Sequence, residues 1–132
     1  MDIGCGKTSY RKYILENSLV ETYSGLDTEN ALDYDTNVRP NHTWDGVTMS
    51  FEDNAFGCTS STEVLEHCPE PEVVLKEPIR VLKPGGAFFF TLPFIWKLHV
   101  VPRYEYRCTP FSLERHLTNA GFTGIEIKTT VG

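Results

Sequence analysis

Asp2-Ile3-Gly4-Cys5-Gly6, at the head of the chain, decides how the rest is read. Two glycines one residue apart stand where a strand gives way to a helix. Without a Cβ the backbone there can turn sharply and bring its N–H groups close to a ligand. Taken alone, the pair fits a plain tight turn as well as a ligand-binding one. Gly6-Lys7-Thr8 copies the end of a phosphate-cradling loop, but that motif needs a glycine where this chain has Met1. A dinucleotide fingerprint needs a third glycine where the chain has Ser9. Asp27 adds more, because it falls about twenty residues beyond the turn, at the end of a second strand pattern. A carboxylate there can accept both hydroxyls of a ribose bound across the strand tips, or it can simply cap a turn.

Outward from this turn, strand and helix patterns alternate, which predicts an α/β fold with a mostly parallel sheet in a three-layer sandwich. Ser9 is expected to cap a first helix that turns Tyr10, Tyr13 and Ile14 inward and ends near Asn17-Ser18. Residues 23–27 read as the second strand. The stretch 30–44 is polar and irregular, so any third strand in it is short or missing. Pro71 opens a helix that turns Leu75, Ile79 and Leu82 to one side. Pro78 should bend this helix, and Pro84-Gly85-Gly86 should end it. Residues 87–92 are a continuous apolar run, as in a strand buried on both faces. Thr109-Pro110 starts a last helix with Phe111, Leu113 and Leu117 inward, Gly121 stops it, and residues 125–128 read as a final strand.

Composition narrows the class. The 132 residues are 40% hydrophobic and 23% charged, which suits one soluble domain rather than two. A formal charge of -6 argues against nucleic acid as a partner, since tracking a phosphate backbone requires clustered Lys and Arg. No apolar run is long enough to span a bilayer and no leader peptide is visible, so the expected compartment is the cytoplasm, without membrane association. Cys5, Cys58, Cys68 and Cys108 are scattered, with no C-x-x-C pair and no His at zinc-ligand spacing; they read as reduced thiols, and no metal site is expected.

Five strings, taken in order, resemble the motifs of the type 11 class I S-adenosylmethionine-dependent methyltransferases. They are Asp2-Ile3-Gly4-Cys5-Gly6, Gly25-Leu26-Asp27, Ser50-Phe51-Glu52-Asp53-Asn54-Ala55-Phe56, Glu63-Val64-Leu65-Glu66-His67 and Arg80-Val81-Leu82-Lys83-Pro84-Gly85-Gly86. The resemblance implies a Rossmann-like methyltransferase sandwich with S-adenosyl-L-methionine as cofactor. It implies that Asp2 orients the methionyl end, that Gly4, Cys5 and Gly6 pass beneath it, and that Asp27, with Thr28, takes the ribose. Asp45 and Gly46 match the adenine contact, and Thr62, Glu63 and His67 would line the pocket after the fourth strand. Glu66 reads as a solvated residue of a first helical turn, and His67 reads equally well as a packed, hydrogen-bonded histidine.

The segment Pro93-Phe94-Ile95-Trp96-Lys97-Leu98-His99-Val100-Val101-Pro102, with Arg107-Cys108-Thr109-Pro110, resembles a subgroup near sugar and cell-envelope biosynthesis. It follows the fifth strand, where acceptors enter an open α/β sheet. Trp96, His99, Tyr104 and Tyr106 suit an acceptor pocket, although Trp96 and Tyr106 suit a loop sealing the core equally well. The expected reaction is methyl transfer to a small-molecule acceptor, with His99 as the base if a hydroxyl or ammonium must lose its proton. The first strand reads as truncated and the seventh as missing. Two further expectations follow: a noncatalytic domain that keeps the fold, or a homodimer paired through open sheet edges. Gly57 stands where the family has Asp, and residues 58–62 are polar for a strand buried on both sides, so their hydroxyls need partners.

Overall fold

A computed structural model describes residues 1–29, 37–99 and 102–130. Strands β1 (Asp2–Ile3), β2 (Gly25–Thr28), β3 (His42–Trp44), β4 (Phe56–Thr62) and β5 (Leu82–Thr91) form one sheet in the order β3-β2-β1-β4-β5. Every pairing is parallel. Helices α1 (Arg11–Asn17), α2 (Pro71–Val81) and α3 (Pro110–Ala120) follow among the described elements, with a 3-10 turn at Leu65–His67. The chain runs outward from β1 to β3 on one side and returns to β4 and β5 on the other. The order therefore reverses between β1 and β4, and a crevice opens at the carboxyl ends of those two strands.

The strand register sorts the side chains. Ile3 lies beside Leu26 and Ser61, and Ser61 beside Phe90, so these residues share one face. Ile3, Leu26, Leu65, Val74, Leu75, Val81, Leu113 and Leu117 form the core there, and α2 packs on α3 over it. Each such side chain contributes about 1.5–3 kcal/mol when fully buried. The opposite face carries Asp2, Gly25, Cys58, Ser60 and Phe89, and Phe89 remains 63% exposed.

Arg80 explains why residues 50–56 and the end of α2 hold together. Its guanidinium donates to Glu77 Oε1 and Oε2 (both 2.8 Å), Asp53 Oδ1 (2.8 Å), and the carbonyls of Phe51 (2.7 Å) and Met49 (3.0 Å). Glu77 Oε2 also accepts the Met49 N–H at 2.6 Å. The loop before β4 is thus clipped to α2 by one planar cation.

Several expectations hold. β3 is short, Pro71 opens α2, and Thr109 Oγ1 caps α3 through the Ser112 N–H. Gly121 ends α3 at φ +107°, and all four cysteines are free. Residues 30–36 of the irregular stretch, and Val100 and Val101 of the acceptor loop, lie outside the described residues.

Others are corrected. Ser9 does not cap α1: the turn runs one residue further, with Thr8 left-handed, and Tyr10 takes the cap position without a side-chain bond. Tyr10 and Tyr13 are 51% and 68% exposed, because α1 buries no residue. The second helix stops at Val81, before Pro84; Lys83-Pro84-Gly85-Gly86 instead bulges out of β5, where the register jumps from Phe56–Leu82 to Cys58–Ala87. β5 is an edge strand with exposed and half-buried residues alternating, so its apolar run is not buried on both faces. β4 is likewise open on one side at Gly57 and Cys58. That eases its polarity, and Ser60 Oγ finds Asp2 Oδ1 at 3.1 Å, while Thr59 Oγ1 is buried without a partner. Phe111 is 83% exposed rather than inward. Residues 125–128 pair with no described strand and so form no ladder.

Candidate cofactor site

The crevice at the β1–β4 reversal is lined by Asp2, Gly4, Cys5, Gly6, Lys7, Ser9, Tyr10 and Thr62, and encloses about 180 Å³. Five of these, Asp2, Gly4, Cys5, Gly6 and Thr62, are residues the sequence indicated; Ser9 and Tyr10 enter because the turn is longer than the sequence suggested. Gly4 has φ +69°, and a Cβ there would collide with Val64 Cγ2. A Cβ on Gly6, at φ +49°, would meet nothing within 4 Å, so that side of the turn is open to a ligand.

Two carboxylates are set by this turn. Asp27 Oδ2 accepts the Gly6 N–H at 2.7 Å, and its Oδ1 accepts the Thr28 N–H at 2.8 Å. The tip of β2 is thereby fastened to the glycine turn. Asp2, only 3% exposed, accepts the Tyr23 hydroxyl at 2.6 Å on Oδ2 and the Ser60 hydroxyl on Oδ1. Tyr23 was read only as the start of a strand, and nothing in its spacing marked it as the group that holds Asp2. Burial and then this bond push the Tyr23 phenol up. The Cys5 thiol is pushed up to about 12, first by burial and then by the Asp27 and Asp2 carboxylates, so Cys5 packs in the turn as a neutral group.

The remaining predicted residues do not line this crevice. Asp45 is exposed and its Oδ1 accepts the Val47 and Thr48 N–H groups, both at 2.8 Å. These bonds hold its carboxyl below the usual range, the Thr48 bond most. Gly46 follows at φ +86° in the same turn. Glu63 takes φ +55°, and its Oε1 accepts the Thr91 hydroxyl at 3.0 Å, joining the carboxyl ends of β4 and β5.

His67 and His99 belong to a second cluster. Their ring centroids are 5.3 Å apart, and Tyr104 packs edge-on at 5.5 Å from His67 and 4.9 Å from His99. Glu66 joins them. Far from being solvated, it is fully buried, because residues 103–106 return over the 3-10 turn: the Glu66 carbonyl accepts the Glu105 and Tyr106 N–H groups, and His67 Nδ1 lies 2.6 Å from the Arg103 carbonyl. Burial raises the Glu66 carboxyl above its ordinary range. Trp96, 59% exposed, and Tyr106, 38% exposed with its hydroxyl on the Pro69 carbonyl, do not seal the core.

A parallel sheet with a glycine turn and a strand-tip carboxylate joined at its order reversal defines a Rossmann-like nucleoside-cofactor domain. Residues 1–90 match the methyltransferase domain family of type 11, and the chain belongs to it. This is a family of S-adenosylmethionine-dependent methyltransferases. The chain is 28% identical over 118 residues to a demethylmenaquinone methyltransferase of Staphylococcus aureus, a match covering 67% of this chain and 49% of that protein. Over 44 residues it is 48% identical to a sterol 24-C-methyltransferase of Aspergillus fumigatus, covering 33% of this chain and 12% of the relative. The chain thus spans half or less of these relatives. Among solved structures, phosphoethanolamine N-methyltransferase 2 of Haemonchus contortus, in complex with S-adenosyl-L-methionine, superposes with a TM-score of 0.75 at 21% identity. That match covers 98% of this chain and 34% of the other, and it supports the fold.

Proposed function

We propose that this chain binds S-adenosylmethionine over the carboxyl ends of β1, β2 and β4 and transfers its methyl group to a small-molecule acceptor. One contact carries the reading: the Asp27 carboxylate bonded to the Gly6 N–H. Each Asp27 oxygen uses one lone pair on a backbone N–H, which leaves acceptor capacity for the two ribose hydroxyls. Gly4, Cys5 and Gly6 underlie the methionyl end, with Asp2, fixed by Tyr23 and Ser60, facing its ammonium group, and Thr62 beside it. Thr28, Asp45 and Gly46 serve the ribose and adenine side, and Glu63 stands at the far wall.

Methyl transfer is an in-line displacement at carbon, and the cofactor's sulfonium supplies the activation. The protein's part is to align the nucleophile and exclude water. His99 takes the proton of a hydroxyl or ammonium acceptor. A loss of turnover in His99→Ala that is largest at neutral to alkaline pH and shrinks at low pH, where the parent's imidazole is already protonated, supports that role, and an unchanged pH–rate profile removes it. Phe94, Ile95, Trp96 and Leu98 are exposed directly after β5, favouring an acceptor with an apolar portion; the sugar or cell-envelope class rests on the resemblance of residues 93–102 and 107–110. The acidic charge and free thiols favour a cytoplasmic enzyme acting without nucleic acid. Among the described residues no helix is long and apolar enough to cross a membrane. The open edges of β3 and β5 offer a route to a homodimer.

Calorimetric titration with S-adenosylhomocysteine tests the cofactor site. Asp27→Ala is expected to weaken binding by about 1.5–3 kcal/mol, the range for a charged acceptor. Equal affinity in the variant removes Asp27 from the site, and no binding by the parent chain overturns the reading.

A further inference from the structure

The second cluster has an unresolved electrostatic problem. Glu66 is fully buried, yet neither carboxylate oxygen has a hydrogen-bond partner among the described residues. Desolvating an unpaired carboxylate costs several kcal/mol, by order of magnitude, unless something positive or a proton sits beside it. The Nε2 of the neighbouring His67 lies 3.7 Å from Glu66 Oε1, too far for a hydrogen bond.

Both histidines are turned the same way. His67 Nδ1 lies 2.6 Å from the Arg103 carbonyl and His99 Nδ1 lies 3.3 Å from the Lys97 carbonyl. A carbonyl only accepts, so each ring carries a proton on Nδ1, and in its neutral form presents the Nε2 lone pair. This is how histidines that ligate metals are oriented: one nitrogen donates to a backbone carbonyl, and the other faces the ion. His67 Nε2 and Glu66 Oε1 are then two acceptors facing each other. Ligand atoms of Glu66, His67 and His99 all lie within 4.8 Å of one another. Around tetrahedral zinc, with bonds of about 2.0–2.1 Å, ligand atoms sit about 3.3–3.4 Å apart. The Glu66–His67 pair is close to that spacing, and His99, on the loop after β5, needs only a short inward movement. The Tyr104 hydroxyl, buried without a partner, is a further polar group beside the two imidazoles.

We propose that Glu66, His67 and His99 form a binding site for a first-row divalent cation, zinc foremost. Two imidazoles and one carboxylate suit zinc and disfavour magnesium, which takes oxygen ligands and keeps its waters. The ion joins the turn after β4 to the loop after β5, fixing the entrance by which an acceptor approaches. Cation binding and proton removal by His99 use the same lone pair and exclude each other. The site rests on these side chains and stands whether or not the chain transfers methyl groups.

The test is calorimetry on the full chain, stripped of metal with a chelator, titrated with Zn²⁺ and, separately, Mg²⁺. Cys58→Ser serves as the background, because the exposed Cys58 thiol is a competing zinc ligand. One zinc per chain is expected, with Mg²⁺ binding far more weakly. Glu66→Gln, which keeps the shape of the buried residue, and His99→Ala, on the loop, should each lower zinc affinity roughly tenfold or more. S-adenosylhomocysteine binding, measured on the same variants, should stay within twofold, which separates this site from the cofactor crevice. No zinc binding by the parent chain, or zinc affinity indifferent to both substitutions, overturns the proposal. The first of these results would mean that a proton alone accommodates Glu66.

Discussion

Gly4 is the position where the backbone leaves least room for substitution. Its positive φ penalises any side chain by about 1–2 kcal/mol, and the collision with Val64 adds an overpacking cost of about 1–3 kcal/mol. Gly4→Ala is therefore expected to lower unfolding free energy by about 2–5 kcal/mol in urea titration, whereas Gly6→Ala meets only the strain of its φ. The cysteines separate by the same kind of local accounting. Cys5 is buried with its thiol pushed up to about 12, and Cys68 is pushed up to about 11, chiefly by burial. Since the thiolate is the reactive form, iodoacetamide at pH 8 should alkylate the exposed Cys58 first. Peptide mass spectrometry showing Cys5 modified before Cys58 in the folded protein would contradict the placement of the turn.

At the scale of elements, the clip between α2 and the loop before β4 is the most consequential local assembly. Arg80→Met leaves the Met49 and Phe51 carbonyls and two carboxylates without their donor, and is expected to cost about 2–4 kcal/mol. Glu77 gives the clip a pH dependence. Its carboxyl is held below the ordinary 4.5, first by the bond from Arg80. A folded pKa below the unfolded one means that its contribution is present above about pH 4.5 and is lost as pH falls through the lower, folded value. Melting temperatures of Glu77→Gln should consequently lie below the parent's at pH 7 and converge with it towards pH 3. A constant gap across that range would show that Glu77 acts by packing rather than charge.

Over the whole molecule, one core lies on one face of the sheet and the cofactor crevice opens at its carboxyl edge. The Rossmann-like plan does not require long strands: β1 has two residues, yet both are buried because β2 and β4 flank it. What the plan requires is the reversal of strand order, since that is where the tips of neighbouring strands diverge and leave space for a ligand. The exposed apolar residues 94–96 and 98 gather on the loop after β5, where the proposed acceptor would approach.

The sequence by itself determined the class of fold, the glycine turn, its partner carboxylate Asp27, the start of α2 and both ends of α3. All of these are local signals: glycine spacing, a proline at a first helical turn, a threonine cap and a left-handed stop act within a few residues of where they stand. Only the tertiary structure decided which faces are covered. Tyr10, Tyr13 and Phe111 carry the right periodicity for an inward face but meet no covering element among the described residues, and the apolar run of β5 falls at an edge of the described sheet. The same holds for Glu66, which by sequence is an ordinary charged residue in a first turn. It becomes a buried, unpartnered carboxylate beside two histidines because residues nearly forty positions downstream fold back over it, and burial is a property of that return, not of the residue.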